Sequence, residues 1–402
     1  MRNTFDLLLT TASYLPEVPT GVSGLTHDLA HGLAARGYTV ALLAYDDLGD
    51  GRTREQDGAV TVMRYCLERR GLFEPRRAFR YIDIVKEVLR QNIKGGVGTI
   101  NGHDLIAYLA AVRFYDSSMT RCVYTVHSPA PLETKVVWSD AGNRRPVRRL
   151  LGVPLLKHFE YESLKASDTI TAESTFTYDC LDKLYGQEVL QDFELIPGWV
   201  DTERFVVNED QDGLRKELGL PLDVPIIFSM RRLAPRMGLD NLIRAIRMLK
   251  DRGYSFQFLI GGQGPLRERL DRMIQDLAIG DMVKMLGFVS EATLPKLYAA
   301  SDATVIPTRE LECFGIIALE SLSCGKTTLV TPVGALPEVM NQFEPDWVAN
   351  NPEPMGIAEL IMRYLDGNLP IHDAQHLHNT VRERFSFEKA LDRYELLLAK
   401  RR

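Results

Sequence analysis

Covalent staples are missing from this chain. Its five cysteines, Cys66, Cys122, Cys180, Cys313 and Cys324, are odd in number and form no CxxC pair. That excludes a disulfide framework and an obvious zinc site, and fits a reducing compartment. Long apolar runs are missing too. Stretches such as Leu105 to Val112 fall far short of the roughly 18 residues of a membrane-spanning helix, and the opening Met-Arg-Asn-Thr-Phe-Asp interrupts any signal-peptide core, so a cytoplasmic chain is expected. Positive charge is not in excess. A net charge of -6 argues against a general nucleic-acid binder, which would be basic. There is no tandem repeat or low-complexity tract. With 45% hydrophobic and 25% charged residues, a disordered, collagenous or fibrous chain is excluded.

What is present is length and rhythm. At about 100 to 200 residues per domain, 402 residues hold two or three globular units. Short β-favouring runs recur between segments of helical period: Phe5 to Leu9, Val40 to Ala44, Val60 to Met63, Val97 to Ile100, Cys122 to Val126 and Thr169 to Ala172. After the polar stretch Val207 to Asp212 the rhythm restarts at Ile226 to Ser229, Phe256 to Ile260, Val283 to Leu286, Ala303 to Ile306 and Thr328 to Val330. Strand then helix, repeated, predicts parallel sheets covered on both faces. The fold class expected is therefore α/β, with two Rossmann-like domains, 1–198 plus 383–402 and 199–382. A closing helix at Phe387 to Leu398 crosses back to the first domain. Open parallel sheets bind ligands outside the carboxyl ends of their strands. Facing domains would share a central cleft there, so the chemistry is sought in strand-to-helix loops.

The most informative loop is Glu312-Cys-Phe-Gly-Ile-Ile-Ala-Leu-Glu320, between the strand ending at Ile306 and a helix stop at Cys324-Gly325. Glu312 precedes or opens the helix and Glu320 lies about two turns inside it. Phe314-Gly315 between them would present free backbone N–H groups at the positive end of the helix dipole, a seat for a diphosphate. The carboxylates flanking it would accept hydroxyl hydrogen bonds. In the same sheet the first strand ends in Met230-Arg-Arg-Leu-Ala-Pro-Arg-Met-Gly238, where Arg232 and Arg236 would neutralise a phosphate.

These motifs carry a resemblance. Arg232-Leu233, Gly238, Gly262-Gln-Gly-Pro265, Leu286-Gly-Phe-Val289, Tyr298-Ala-Ala-Ser-Asp302, Pro307-Thr308, Glu312-Cys-Phe-Gly315, Leu319-Glu320, Gly325 and Pro332-Val-Gly-Ala-Leu-Pro-Glu338 resemble, in order and approximate spacing, the nucleotide-binding half of the retaining glycosyltransferases of family four, with the GT-B fold. More sparsely, Pro19-Thr-Gly-Val22 and Tyr124-Thr-Val-His127 are similar to that family's glycine loop and to its strand ending in a histidine. The chain departs from the family where Thr20-Gly21 replaces Gly-Gly and Met237-Gly238 replaces Lys-Gly. His103 occupies a strand end similar to that of His127.

The resemblance implies a retaining transfer of a sugar from a nucleoside-diphosphate donor to an acceptor hydroxyl on a glycan, glycolipid or small metabolite. It implies that Arg232, Arg236, Gly21 and the Gly315 helix meet the diphosphate, with Phe314 and Ile316 beside it. Glu312 would hold the donor sugar, Glu320 the ribose, Gly287 and Phe288 the base, and His127 the sugar or acceptor. No cofactor is expected. Asp210-Gln-Asp212 is read as a helix start with Asp212 as cap or first-turn anion, so no metal is expected either. Alternatives are a non-catalytic sugar-nucleotide-binding protein of the same fold and a dinucleotide enzyme. The second is weakened because Arg267 stands where GxGxxG needs its third glycine. A hydrolase using Glu312 and Glu320 is disfavoured. Eight helical residues would part their backbones by about 12 Å, against about 5 to 5.5 Å between retaining hydrolase carboxyls. Two basic segments, Arg64 to Arg80 and Arg144 to Lys157, suggest either peripheral contact with an anionic membrane, acceptor contact or a solvated face.

Overall fold

The computed structural model describes residues 3–14, 21–46, 54–66, 75–115, 118–140 and 146–399. Two compact units divide the chain, Met1–Gly198 with Glu388–Arg402, and Trp199–Phe387. The second crossing falls at 387/388 instead of the expected 382/383. The preceding helix Ala374–Phe385 buries Leu377, Val381 and Phe385 in the second unit's core and so belongs wholly to it.

The first unit holds an 8-stranded sheet in the order β3-β4-β2-β1-β5-β6-β7-β8. Its strands are β1 Asn3–Thr11, β2 Val40–Tyr45, β3 Arg54–Asp57, β4 Val60–Tyr65, β5 Gly96–Gly102, β6 Arg121–Val126, β7 Thr169–Ala172 and β8 Phe193–Leu195. Val-Ala-Leu-Leu-Ala in β2 is buried throughout, as a strand covered by helices on both faces requires. One departure from the expected parallel sheet is β3, which pairs antiparallel with β4. Its sequence Arg-Glu-Gln-Asp has no apolar residue for periodicity to detect, because an edge strand with alternating exposure buries little. The closing helix Phe387–Ala399 buries Leu391, Tyr394, Leu397 and Leu398. It is tied down where Thr99 donates to the Leu398 carbonyl at 3.0 Å and Arg36 donates to Asp392 at 2.6 Å.

The second unit holds a 5-stranded sheet in the order β11-β10-β9-β12-β13. Its strands are β9 Ile226–Met230, β10 Gln257–Gly261, β11 Val283–Gly287, β12 Ala303–Ile306 and β13 Thr327–Val330, all paired in parallel. Leu239, Leu242, Ile243, Ile246 and Leu249 make the buried stripe of the helix Leu239–Asp251, at the spacing that covers one face of a sheet. The chain leaves β9 in one direction along the sheet and β12 in the other. The β9/β12 pair is therefore the point where strand order reverses, the usual crevice for a ligand in such sheets. No helix among the described residues is long and apolar enough to cross a membrane.

Candidate functional site

The loops after β9 and β12 meet at that reversal. Arg231 leaves β9 with its backbone N–H bonded to the Gly261 carbonyl at 3.0 Å, and Leu233 N–H is bonded to the Gln263 carbonyl at 2.9 Å. This explains the glycine-rich turn Gly261-Gly-Gln-Gly264. At Gly262, with φ +118°, a Cβ would stand 2.0 Å from the Arg231 carbonyl oxygen. Glycine is needed there so that the turn can lie against the arginine loop.

Arg231, which the sequence reading passed over, is the arginine at the centre of the cluster. Its buried guanidinium donates from Nη2 to Glu312 Oε2 at 2.6 Å and Thr308 Oγ1 at 2.6 Å, and lies 2.8 Å from Met237 Sδ. Arg232 is exposed and has no ion pair among the described residues. Arg236 donates to the Leu311 carbonyl at 2.6 Å, and its own carbonyl accepts from Arg309 N–H at 2.9 Å. The two loops are thereby tied to each other. Leu311 holds a left-handed φ of 51°, an uncommon conformation for a side chain of that kind.

Burial acts to raise the Glu312 carboxyl, but Arg231, then Arg236 and Thr308, outweigh it and hold it below its ordinary value. Glu312 is thus a fixed anion at the mouth of the helix Ile316–Ser323. Gly315, at φ 97°, caps that helix without a side-chain bond. A Cβ there would fall 2.7 Å from Leu336 Cδ2. The helix therefore begins after Gly315, and Glu320 stands little more than one turn inside it, not two. Tyr298 donates to Glu320 Oε2 at 2.8 Å, and burial pushes this carboxyl up to about 7. Phe314 is buried in the core, whereas Ile316 is half-buried. Gly287 ends β11 and its carbonyl accepts from Gly262 N–H at 2.7 Å. Phe288 beside it is 66% exposed, an available aromatic face.

In the first unit, three adjacent strands are each followed at once by a titratable residue: β5 by His103, β6 by His127 and β7 by Glu173. Asn101 donates to Thr125 at 3.0 Å, which turns its Oδ1 toward His103 Nε2 at 2.8 Å. His103 Nδ1 lies 2.8 Å from His127 Nε2, and His127 Nδ1 lies 2.7 Å from Glu173 Oε1. Both nitrogens of His127 are therefore engaged. Burial, then the neighbouring His127, holds the His103 imidazole well below its ordinary value, which favours its neutral form. Glu173 was missed in the sequence because it is 46 residues from its partner. Its place immediately after a predicted strand was the available signal.

Gly21 opens the helix Gly21–Ala35 and is exposed; Thr20 lies outside the described residues. Asp210 caps the helix Gln211–Glu217 by accepting from Gly213 N–H at 2.9 Å, with Asp212 in its first turn. The basic segments do not form the surfaces expected of them throughout. Arg64 is buried and donates from Nε to Glu55 at 2.7 Å, because it lies on the inner strand of the β3/β4 hairpin. Arg80 and Lys157 are exposed. Arg69, Arg70, Arg144 and Arg145 lie outside the described residues, and the side chains of Arg76, Arg77, Arg148 and Arg149 are likewise not described.

Two family models divide the chain between them. Glycosyltransferase Family 4 matches residues 19–204 and Glycosyl transferases group 1 matches residues 210–384. The GDP-mannose-dependent alpha-(1-6)-phosphatidylinositol monomannoside mannosyltransferase of Mycolicibacterium smegmatis is 32% identical over 43% of this chain and 47% of its own length. The D-inositol 3-phosphate glycosyltransferase of Acidothermus cellulolyticus is 28% identical over 61% of this chain and 55% of its own. The chain thus spans about half the length of these relatives. Among solved structures, sucrose-phosphate synthase from Thermosynechococcus elongatus superposes with a TM-score of 0.80 at 20% identity, covering 98% of both chains. The Anabaena protein HepE, solved with UDP and glucose, gives 0.74 at 16% identity over 98% of this chain and 100% of its own. Both likenesses are likenesses of fold.

Proposed function

Because the chain belongs to the family-four-like glycosyltransferases of GT-B fold, we propose that it moves a sugar from a nucleoside-diphosphate donor to an acceptor hydroxyl with retention of anomeric configuration, without metal. The observation that carries this reading is the Arg231–Glu312 pair beside the glycine-capped helix Ile316–Ser323, at the reversal point of the second sheet. A diphosphate leaving group gains negative charge as its bond to the sugar breaks. Arg232, Arg236 and the N–H groups at the helix start oppose that charge without a covalent nucleophile.

Glu312, kept ionised by Arg231, accepts hydrogen bonds from hydroxyls of the donor sugar. Glu320 holds the ribose and Phe288 lies against the base. His127 orients sugar or acceptor in the first unit, for which its Nε2 must exchange His103 for a hydroxyl. The acceptor hydroxyl enters on the face the diphosphate leaves, and a donor phosphate oxygen takes its proton. Relatives named for GDP-mannose and a neighbour solved with UDP leave the donor base to experiment.

A panel of UDP-, GDP- and ADP-sugars read by thermal shift, followed by product analysis with candidate acceptors, tests the proposal. One nucleotide series is expected to raise Tm selectively and to release its diphosphate when an acceptor is added. Absence of stabilisation by any member of the panel would overturn it. Selective stabilisation without transfer to any acceptor would instead support a sugar-nucleotide-binding protein.

A further inference from the structure

His27 and His31 are four residues apart on the helix Gly21–Ala35, a spacing that puts both rings on one face. Their ring centroids are 4.3 Å apart. The last residue of β3, Asp57, comes to the same place from the sheet edge. His31 Nε2 lies 3.0 Å from Asp57 Oδ2, and His27 Nε2 lies 3.9 Å from the same oxygen. One ligand atom from each of the three residues lies within 4.8 Å of the others. Tyr14, just beyond β1, adds a hydroxyl 2.7 Å from Asp57 Oδ2 and 3.3 Å from His31 Nε2. Zinc bonds of about 2.0 to 2.2 Å in a tetrahedron imply ligand-to-ligand edges of about 3.3 to 3.6 Å, and the observed separations straddle that range.

The outer contacts point the same way. His27 Nδ1 lies 3.3 Å from Asp28 Oδ1, so in the neutral ring Nδ1–H donates a hydrogen bond to Asp28 and the Nε2 lone pair is turned toward Asp57. A carboxylate behind a ligating histidine is the usual device for orienting it on a metal. Without a cation, that lone pair faces a carboxylate oxygen. With one, both imidazoles and the carboxylate become ligands, a nitrogen and oxygen set that suits zinc and its neighbours. All three side chains are partly open, at 32%, 30% and 41% exposure, so an ion can reach them from solvent.

We infer that Asp57, His27 and His31 form a binding site for a zinc-class divalent cation, with Tyr14 as the adjacent hydroxyl, which pins the β3/β4 hairpin to the Gly21–Ala35 helix. The role is structural. β3 carries no apolar residue, so this edge strand, unlike its buried partner β4, has little hydrophobic burial of its own to hold it, and the cation supplies that tether. None of these residues has a part in the proposed transfer.

The test uses the full chain, stripped with EDTA and passed into metal-free buffer at pH 7.5, then titrated with ZnCl2 against a chromophoric zinc chelator. Thermal unfolding is followed in parallel. One equivalent of zinc is expected to bind and to raise Tm, since a ligand held only by the folded state stabilises it. Separate His27→Gln and Asp57→Asn variants should lose that equivalent and its Tm increment. Asp28→Asn should bind about 10- to 100-fold more weakly. Circular dichroism of the metal-free proteins distinguishes lost binding from lost folding. Zinc binding that is absent from the parent chain, or unchanged in folded His27→Gln and Asp57→Asn, would overturn the site and leave a hydrogen-bonded cluster in its place.

Discussion

Arg231 Nη2 meets Glu312 Oε2 at 2.6 Å with both side chains largely shielded, at 6% and 14% exposure, while the adjacent Arg232 stands in solvent. Two neighbouring arginines thus have different work. The first fixes a carboxylate in place, and the second is available to a ligand. Met237 occupies the position where the family usually has lysine, and its sulfur lies against the Arg231 guanidinium. The cation beside Glu312 is delivered from the end of β9.

Substitution separates the two. Arg231→Ala strands a buried carboxylate, and breaking a buried pair this way costs about 3 to 5 kcal/mol. Arg232→Ala removes an exposed side chain and should change stability by no more than about 0.5 kcal/mol, while lowering turnover. Urea denaturation and initial rates on both variants check this. A larger stability loss in Arg232→Ala, or unchanged turnover in it, would reverse the assignment.

Glu320 predicts a pH dependence of donor binding. Its carboxyl titrates at about 7 because it is buried. Below the ordinary carboxylate range it is protonated in folded and unfolded chains alike. As pH rises from there through 7 the folded state resists ionisation, so this group's contribution to stability declines. At the proposed ribose site binding moves the other way, because the ionised form is the better acceptor for hydroxyls. Between pH 6 and 8 the affinity for the nucleotide sugar should rise about tenfold. Glu320→Ala should weaken it by about 1 to 3 kcal/mol and flatten the profile. Calorimetric titration at several pH values decides, and a flat profile in the parent protein would remove Glu320 from the ribose site.

His103 carries the opposite sign. Its folded value lies well below 6.5, so stability is intact above the unfolded value and is lost as pH falls below it, where the unfolded chain binds the extra proton. His103→Gln should flatten the acid limb of the stability profile. Nitrogen NMR of the parent protein should show His103 neutral at pH 6. A protonated ring at that pH would mean that the row from Asn101 to Glu173 is wired differently.

Chelation is expected to leave the chemistry alone. In the proposed transfer the charge of the departing diphosphate is met by guanidinium groups and helix N–H donors, so EDTA should leave the initial rate unchanged even where it lowers Tm. Loss of turnover that manganese restores would place a metal in the reaction.

The sequence alone determined the alternation of strand and helix, and with it the parallel sheets. Continuous buried runs such as Val40 to Ala44 carry their own signal, because a strand covered on both faces is predominantly apolar. It also marked Glu312, Gly315 and Glu320, which lie close together along one loop and helix. Only the tertiary structure decided which arginine reaches Glu312. The direction of a loop side chain depends on the backbone bond from Arg231 to Gly261 and on the hydrogen bond to Thr308, and neither is local in sequence. It likewise joined His103, His127 and Glu173, whose adjacency follows from the order β5-β6-β7. Strand order depends on long-range pairing, to which hydrophobic periodicity within each strand is blind.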